Sequence, residues 1–300
     1  YIRYAKPRCV IKELYINISP ELLKKFASDY RAEPANALIA GAVAKSGIED
    51  ASFNYDVRRR HNFYFSHETK RGEITNQKKS GRCWMFASLN AARVEIMEKL
   101  NLETFELSQN YTLFWDKLEK SNYFFESILE TLDEPLEGRL LAHLLANPIQ
   151  DGGQWDMFAG ILKKYGAVPK DVMPETFHSS DTRFFVAELT HRLRKYAQLL
   201  RAGHKAGKSI TELRTDKEAY LSHVYSFLVK ALGEPPRVFD FECRDKDKKF
   251  HKAEQITPQQ FFKEYVGWNL DDKISLINAP TADKPYGRAY TVKFLGSVKE

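Results

Sequence analysis

The sequence predicts an α+β fold in which helices fill most of the chain and strands begin only near its end. Apolar residues recur at helical spacing over residues 83–100 and again near 154–165. Over residues 181–240, apolar positions alternate with dense charge, which is typical of amphipathic helices. Strand-like runs follow at 274–277 and 289–294, so the sheet is only begun within these 300 residues.

The first elements carry clear start signals. A helix is expected after Ser19, because serine caps helices and Pro20 suits the first helical position. The helix over 83–100 has a predicted apolar face made of three residues: Ala87, Ala91 and Val94.

The later helices are predicted from their apolar positions and their ends. The helix near 154–165 is expected to bury Trp155, Phe158, Ala159 and Leu162. Gly166 and Pro169 are expected to end it.

The amphipathic helices over 181–240 have apolar positions that include Phe185, Leu189, Leu193 and Tyr196. A capping box at 257–260 predicts a further short helix with an apolar face of Phe261, Phe262 and Tyr265.

The composition excludes several classes of protein. The chain is 43% hydrophobic with a net charge of +6, and no run of about 18 apolar residues predicts a membrane helix. Its three cysteines, Cys9, Cys83 and Cys243, cannot form a disulfide framework, and none is spaced as a metal site requires. We therefore expect no membrane segment, no metal, no cofactor and a reducing, cytoplasmic environment.

One short segment predicts the chemistry. Cys83 lies directly before a helical pattern, and Gln77 lies six positions upstream. A helix start has unpaired N–H groups and partial positive charge, which favour the reactive thiolate form of a cysteine. A glutamine amide can donate to the oxygen of a tetrahedral intermediate, beside the backbone N–H of the cysteine. The segment therefore predicts a thiol nucleophile, Cys83, with an oxyanion donor, Gln77.

The same segment resembles the active-site stretch of papain-like cysteine peptidases, and in detail that of bleomycin hydrolase and the bacterial aminopeptidase C. Residues 151–158 are similar to the Gly-Gly segment of this fold, and 275–280 and 283–286 also resemble that branch. The resemblance covers roughly residues 18–298. It implies a papain-like cysteine peptidase fold in which Gly152 and Gly153 bind the extended backbone of a peptide substrate.

The resemblance also implies a domain layout. Residues 1–60 would form an N-terminal arm, and 61–180 the helical half of the papain-like fold, which bears the nucleophile. Residues 181–240 would form a helical insertion that makes oligomer contacts, in a homohexamer in this family. Residues 241–300 would start the β half.

The activity that the resemblance implies is aminopeptidase action on peptides, without a cofactor. In this family a C-terminal arm blocks the cleft, so that only N-terminal residues are removed. Secreted relatives tie the nucleophile loop to the Gly-Gly segment with a disulfide, whereas this chain has Ser80 and Gln150 at those positions. This difference also favours a reducing compartment.

The histidine that should pair with Cys83 has no candidate in this chain. His223 is the only histidine 130–150 residues after Cys83, and it lies in a helical pattern, whereas the histidine of this fold opens a strand. We expect the partner histidine, its orienting asparagine and the C-terminal arm beyond Glu300. The chain, which also lacks an initiator methionine, is then expected to be an inactive fragment of an active enzyme.

Two alternatives remain open. The chain could be a non-catalytic protein that assembles with its relatives. Its basic residues, at 58–60, over 191–208 and at 244–252, could instead bind nucleic acid phosphates weakly. Interspersed acidic residues favour a solvated helix face over the nucleic-acid role.

Overall fold

The computed structural model describes residues 17–62, 64–68, 72–273, 281–282 and 285–288. The chain divides into two compact units, residues 1–68 and residues 69–300. The candidate site lies in the second unit.

The first unit contains three helices: α1 (Pro20–Ala32), α2 (Ala35–Ala51) and α3 (Tyr55–Arg60). The Ser19 hydroxyl accepts a hydrogen bond from the backbone N–H of Leu22 at 3.1 Å, which confirms the predicted helix start. Helix α2 is kinked at Gly47, whose φ is +82°. None of the described residues in these helices is buried.

The second unit is mostly helical. Its helices are α4 (Cys83–Lys99), α5 (Gln109–Glu130), α6 (Arg139–Ala146), α7 (Trp155–Tyr165), α8 (Phe177–Ser180), α9 (Thr182–Lys205), α10 (Ile210–Leu232) and α11 (Pro258–Phe261). A π-helical turn over Phe262–Val266 and a 3₁₀ turn over Leu270–Asp272 follow. In the described ranges, no helix combines the length and the apolar character needed to cross a bilayer.

Helix α4 begins and ends where the sequence predicts, but its buried face differs from the prediction. The face in the core is formed by Met85, Leu89, Ala92 and Ile96. Ala87 and Ala91, predicted on the apolar face, are exposed, and Val94 is only half-buried. The helix has two competing apolar rows, and the row of larger side chains removes more apolar surface from water.

The other predicted helices are confirmed. Phe158, Ala159 and Leu162 of α7 are buried, and α7 ends at Gly166. Trp155, predicted to be buried with them, is only half-buried, because it lies at the first position of α7 and packs against the edge of the core. Helices α9 and α10 pack against each other and against α5. The predicted apolar positions Phe185, Leu189 and Leu193 of α9 are in the core, with Tyr196 packed against it.

A β-hairpin within the second unit was missed from the sequence. Strands β1 (Phe239–Arg244) and β2 (Phe250–Ile256) pair in antiparallel fashion, with Cys243 opposite His251. The buried rings of Phe239 and Phe241 contact Phe261, with centroids 5.6 and 5.1 Å apart. The hairpin and the helices together confirm the α+β class, while the predicted strands at 274–277 and 289–294 lie outside the described residues.

The junction between α7 and α11 depends on a glycine. Gly166 has a φ of +72°, and a Cβ atom there would lie 2.3 Å from the carbonyl oxygen of Pro258. Pro258 opens α11, where Thr257 and Gln260 form the predicted capping box through two reciprocal hydrogen bonds of 3.2 and 2.9 Å. The backbone of one helix end therefore lies directly on the start of another.

We expect Gly166→Ala to destabilise the protein by at least about 1–3 kcal/mol, because alanine would be strained at this φ and would also clash with Pro258. The matched control is Gly160→Ala in α7, where an added Cβ meets no atom within 4 Å. This control should gain about 0.5–1 kcal/mol of stability. Urea unfolding of the two variants measures the difference, and equal midpoints would contradict the prediction.

Candidate active site

The two predicted catalytic residues lie at the start of α4 and in the loop before it. Cys83 is the first residue of α4, and its thiol is free and exposed. Because the hydrophobic face of α4 is in the core, the position of this helix start is fixed by packing. The thiol is therefore presented to solvent from a rigid element.

Gln77 lies half-buried in the loop. The Ser80 hydroxyl donates to its backbone carbonyl at 2.6 Å, and the next residue, Lys78, has a φ of +54° and donates its N–H to the Asn76 side chain at 2.8 Å. The side-chain oxygen of Gln77 is buried without a donor from any described residue. Contacts of its backbone and its neighbours, and not of its side-chain amide, hold this turn.

Arg82, directly before the nucleophile, is fully buried. Its guanidinium makes a two-pronged contact with Glu175 at 2.8 and 2.7 Å, and its Nε donates to the Ser80 hydroxyl at 2.9 Å. It also lies over the Phe86 ring, 5.0 Å from the centroid. A bidentate, charge-assisted contact of this kind fixes both distance and orientation. Arg82 therefore anchors the nucleophile loop to the segment before α8.

A short parallel bridge makes a second anchor for the same loop. Lys79 N–H donates to the Ser180 carbonyl at 2.9 Å, and Thr182 N–H donates to the Lys79 carbonyl at 3.2 Å. These contacts join the loop to the start of α9. The residues where the predicted insertion begins thus support the nucleophile loop.

The nucleophile loop and the Gly-Gly segment lie side by side. The Trp84 indole N–H donates to the Asp151 carbonyl at 2.8 Å. A Cβ atom on Gly153 would lie 2.4 Å from the Trp84 ring, and one on Gly81 would lie 2.6 Å from the Asp151 Cβ. At Gly152 an added Cβ meets no atom within 4 Å. Close packing therefore requires glycine at 81 and 153, whereas the backbone at Gly152 is open.

Asp151 links the Gly-Gly segment to three other parts of the site. Its carboxylate accepts from the Gly81 N–H at 3.3 Å and from the Thr182 hydroxyl, and its other oxygen lies 2.8 Å from the Lys117 ammonium. Burial would raise the pKa of this carboxyl, but Lys117 and the hydrogen bonds from Thr182 and Gly81 lower it below its usual value. Asp151 is thus ionised at neutral pH and holds α5, α9 and the nucleophile loop together.

Sequence reasoning missed the buried charges that support this site. Lys117 and Lys120 of α5 are buried beneath the Gly-Gly segment together with Asp116. The sequence pattern of these charges did not indicate burial, because charges four residues apart on a helix normally lie on an exposed face. The motif gave no reason to place Arg82 and Glu175 together either, since 93 residues separate them.

The other singled-out residues have ordinary surroundings. His223 is exposed on α10, with its ring 3.3 Å from the Tyr196 hydroxyl. Cys243 is half-buried in β1, where burial first and then Asp245 raise the pKa of its thiol. Cys9 lies outside the described residues. No cluster of His, Cys, Asp or Glu within the described ranges could hold a metal ion.

Several of the basic residues are engaged in contacts within the second unit. Arg194 and Arg201 of α9 donate to four backbone carbonyls at helix ends: Leu145, Ala146, Thr131 and Glu134. Lys208 pairs with Asp216 at 2.6 Å, and Lys252 lies between Glu242 and Glu254. Basic side chains with such partners stabilise local structure, and nothing in their arrangement singles out a phosphate-binding surface.

An exposed thiol at the start of a core-packed helix, followed by a tryptophan that packs on a Gly-Gly segment, is the arrangement of a papain-like cysteine peptidase. The model of the Peptidase C1-like family matches residues 17–300, and the chain belongs to this family.

Several relatives support this assignment along nearly the whole chain. Aminopeptidase C of Listeria innocua is 48% identical over 94% of this chain and 63% of its own length. Aminopeptidase C of Lactobacillus delbrueckii subsp. lactis is 46% identical with the same coverage. The crystal structure of PepW from Lactobacillus rhamnosis HN001 superposes with a TM-score of 0.92 at 49% identity, over 94% of this chain and 63% of that one. The chain thus spans about 63% of the length of these relatives.

We expect Arg82→Met to lower the free energy of unfolding by about 3–5 kcal/mol, because it leaves the mostly buried Glu175 carboxylate without its charged partner. The matched control is Lys252→Met, which removes an exposed pair on the hairpin and should change stability much less. Guanidinium unfolding, monitored by circular dichroism, compares the free energies of unfolding of the two variants. A loss from Arg82→Met as small as that of the control would contradict the anchoring role.

Proposed function

We propose that the complete protein is a cysteine-type aminopeptidase that removes N-terminal residues from peptides, with Cys83 as its nucleophile. The observation that carries the proposal is the free, exposed Cys83 thiol at the start of α4, next to Trp84, whose ring packs on the Gly-Gly segment. The aminopeptidase names of the relatives support the reaction class. Because the chain spans only part of those relatives, the activity is proposed for the complete protein.

The reaction begins with acyl transfer to sulfur. The Cys83 thiolate attacks the carbonyl carbon of the first peptide bond, and the carbonyl oxygen becomes an oxyanion. The Gln77 side-chain amide and the backbone N–H of Cys83 donate hydrogen bonds to that oxygen. The Cys83 N–H is suited to this role because it lies in the first helical turn, where N–H groups have no partner within the helix.

The leaving amine then needs a proton. A histidine from outside the 300 residues supplies it, and its orientation is set by an asparagine that also lies outside them. Water attacks the thioester, releases the N-terminal residue and regenerates the thiol. The chain by itself then binds peptide but turns over slowly or not at all.

The Gly-Gly segment would hold the peptide backbone. Gly152 is exposed, and space around its Cα is open, so an extended peptide can approach the main chain there. The N-terminal preference would come from the C-terminal arm, as the resemblance implies. The same resemblance supports a homohexamer with contacts through 181–240, and the free thiols of Cys83 and Cys243 support a cytoplasmic location.

We expect Gln77→Ala in the complete protein to lower kcat about 10²–10³-fold with little change in KM, because the oxyanion donor acts mainly in the transition state. Cys83→Ala should abolish turnover and sets the background of the assay. The measurement is steady-state hydrolysis of aminoacyl amide substrates. A matched control is Gln255→Ala, which alters a glutamine on the β-hairpin and should leave kcat unchanged.

Two outcomes separate the alternatives. Full turnover by Cys83→Ala would exclude the proposed mechanism. No turnover by the wild-type complete protein, together with normal assembly, would favour a non-catalytic role. The intact mass of the natural protein decides which chain to assay, because a mass well above 34.8 kDa means that further residues complete the site.

A further inference from the structure

A buried lysine lies directly beneath the Gly-Gly segment. Lys120 of α5 is 6% exposed, and its ammonium donates to the Gly152 carbonyl at 2.7 Å and to the Gln150 carbonyl at 3.0 Å. It also contacts the Asp116 carboxylate at 2.9 Å. An ammonium group has three N–H donors, so this set of acceptors uses all of them.

The charges around Lys120 balance. Lys117, fully buried, lies 2.8 Å from Asp151 and 3.4 Å from Asp116 and donates to the Gln150 carbonyl at 2.8 Å. The group therefore holds two lysines and two aspartates. Burying four charges is costly, and an apolar residue of the same size often stabilises a core better. The carbonyl contacts of the two lysines are what an apolar residue could not provide.

These contacts fix the orientation of one peptide group. The Gly152 carbonyl and the Gly153 N–H belong to the same planar, trans peptide, so they point in opposite directions. Because Lys120 holds the carbonyl toward the interior, the N–H is directed away from α5. The Trp84 ring, packed on Gly153, restricts movement of the segment from the side.

We propose that Lys120 is a positioning residue that holds the Gly152–Gly153 peptide so that its outward N–H meets a backbone carbonyl of the bound peptide. The inference rests on the proposed peptidase function and deepens it. It assigns to Lys120 a role in substrate affinity, exerted through the Gly-Gly segment, and none in the attack by Cys83.

The protonation of Lys120 makes this role testable by pH. Burial lowers the pKa of Lys120 to about 8, and Asp116 and Asp151 oppose the shift while Lys117 adds to it. These three residues are the charged groups that face it, and the Trp84 ring lies 5.3 Å from the ammonium. The folded-state pKa lies below the ordinary value of 10.5, so the ammonium is present below about pH 8 and lost above it. The anchoring effect should be lost over the same range.

The experiment is a comparison of KM between the complete wild-type protein and the double variant Lys120→Met/Asp116→Asn. The double variant keeps the buried charges balanced, which avoids an unpaired aspartate. We expect KM for a peptide substrate to rise about tenfold at pH 6.5, the equivalent of one lost hydrogen bond, with kcat changed less than about twofold. Alkylation of Cys83 by iodoacetamide should proceed at the wild-type rate.

The pH profile distinguishes positioning from a general structural defect. The ratio of the two KM values should fall from about ten toward one as pH rises from 6.5 to 9.5, because the wild type then loses its own ammonium. Titration of the substrate amine affects both proteins and cancels in the ratio. Lys217→Met is the matched control, since it removes a partly buried lysine of α10 that pairs with Glu126 of α5, and its KM should equal that of the wild type.

Several results would overturn the inference. The inference fails if the KM ratio is near one at pH 6.5, if this ratio does not change with pH, or if only kcat falls. If the double variant does not fold, Lys120→Gln replaces it, and its KM ratio should show the same fall with pH. Turnover retained by Cys83→Ala would overturn the proposed function, and the inference with it, whereas an unchanged Lys120 variant overturns only the inference.

Discussion

The half-buried carboxylate of Asp151 makes the interactions on which the candidate site depends. It accepts from the nucleophile loop at Gly81 and from Thr182 at the start of α9, and it pairs with Lys117 of α5. Its own carbonyl accepts from Trp84, the residue after the nucleophile. Without this group, the Gly81 N–H would lose its acceptor and the buried Lys117 ammonium its nearest carboxylate, which is more costly than the loss of ordinary contacts.

A second constraint acts on the other side of the nucleophile. Arg82 extends away from the Gly-Gly segment to Glu175, while Trp84 extends toward it. Adjacent residues on either side of Cys83 are thus held by different parts of the unit. A thiol held from both sides moves little with respect to a bound substrate, and small displacements of reacting groups are known to cost large factors in rate. The stability of the loop and the reactivity of the thiol are therefore linked.

Much of this arrangement could be predicted from the sequence, where local signals agree with the final packing. The start of α4 at Cys83, the end of α7 at Gly166 and the capping box at 257–260 are all determined by nearby residues, and all are confirmed. The buried face of α4 was predicted wrongly, because the choice between two apolar rows depends on α5 and α7. Periodicity alone does not contain that information.

The hairpin and the buried charges were missed for a related reason. In β1, the inward residues Phe239 and Phe241 alternate with acidic and basic residues, and the adjacent charges made the segment resemble a surface patch. In α5, Lys117 and Lys120 have the spacing of solvent-exposed residues, but the Gly-Gly segment and the Trp84 ring lie on them and they are buried. Their sequence separation from that segment, about 30 residues, hides the contact.

The way the two active-site segments are joined has a practical consequence. The positions that carry a disulfide in secreted relatives hold Ser80 and Gln150 here, and each is instead part of a hydrogen-bonded network: the Ser80 hydroxyl contacts Arg82, and the Gln150 carbonyl accepts from Lys117 and Lys120. A thiol reductant, which any preparation needs in order to keep Cys83 from oxidation, finds no disulfide to cleave among the described residues. Purification and storage under strongly reducing conditions thus protect the reactive group without loosening its support, whereas very high salt or extreme pH acts on the interactions that replace the covalent link.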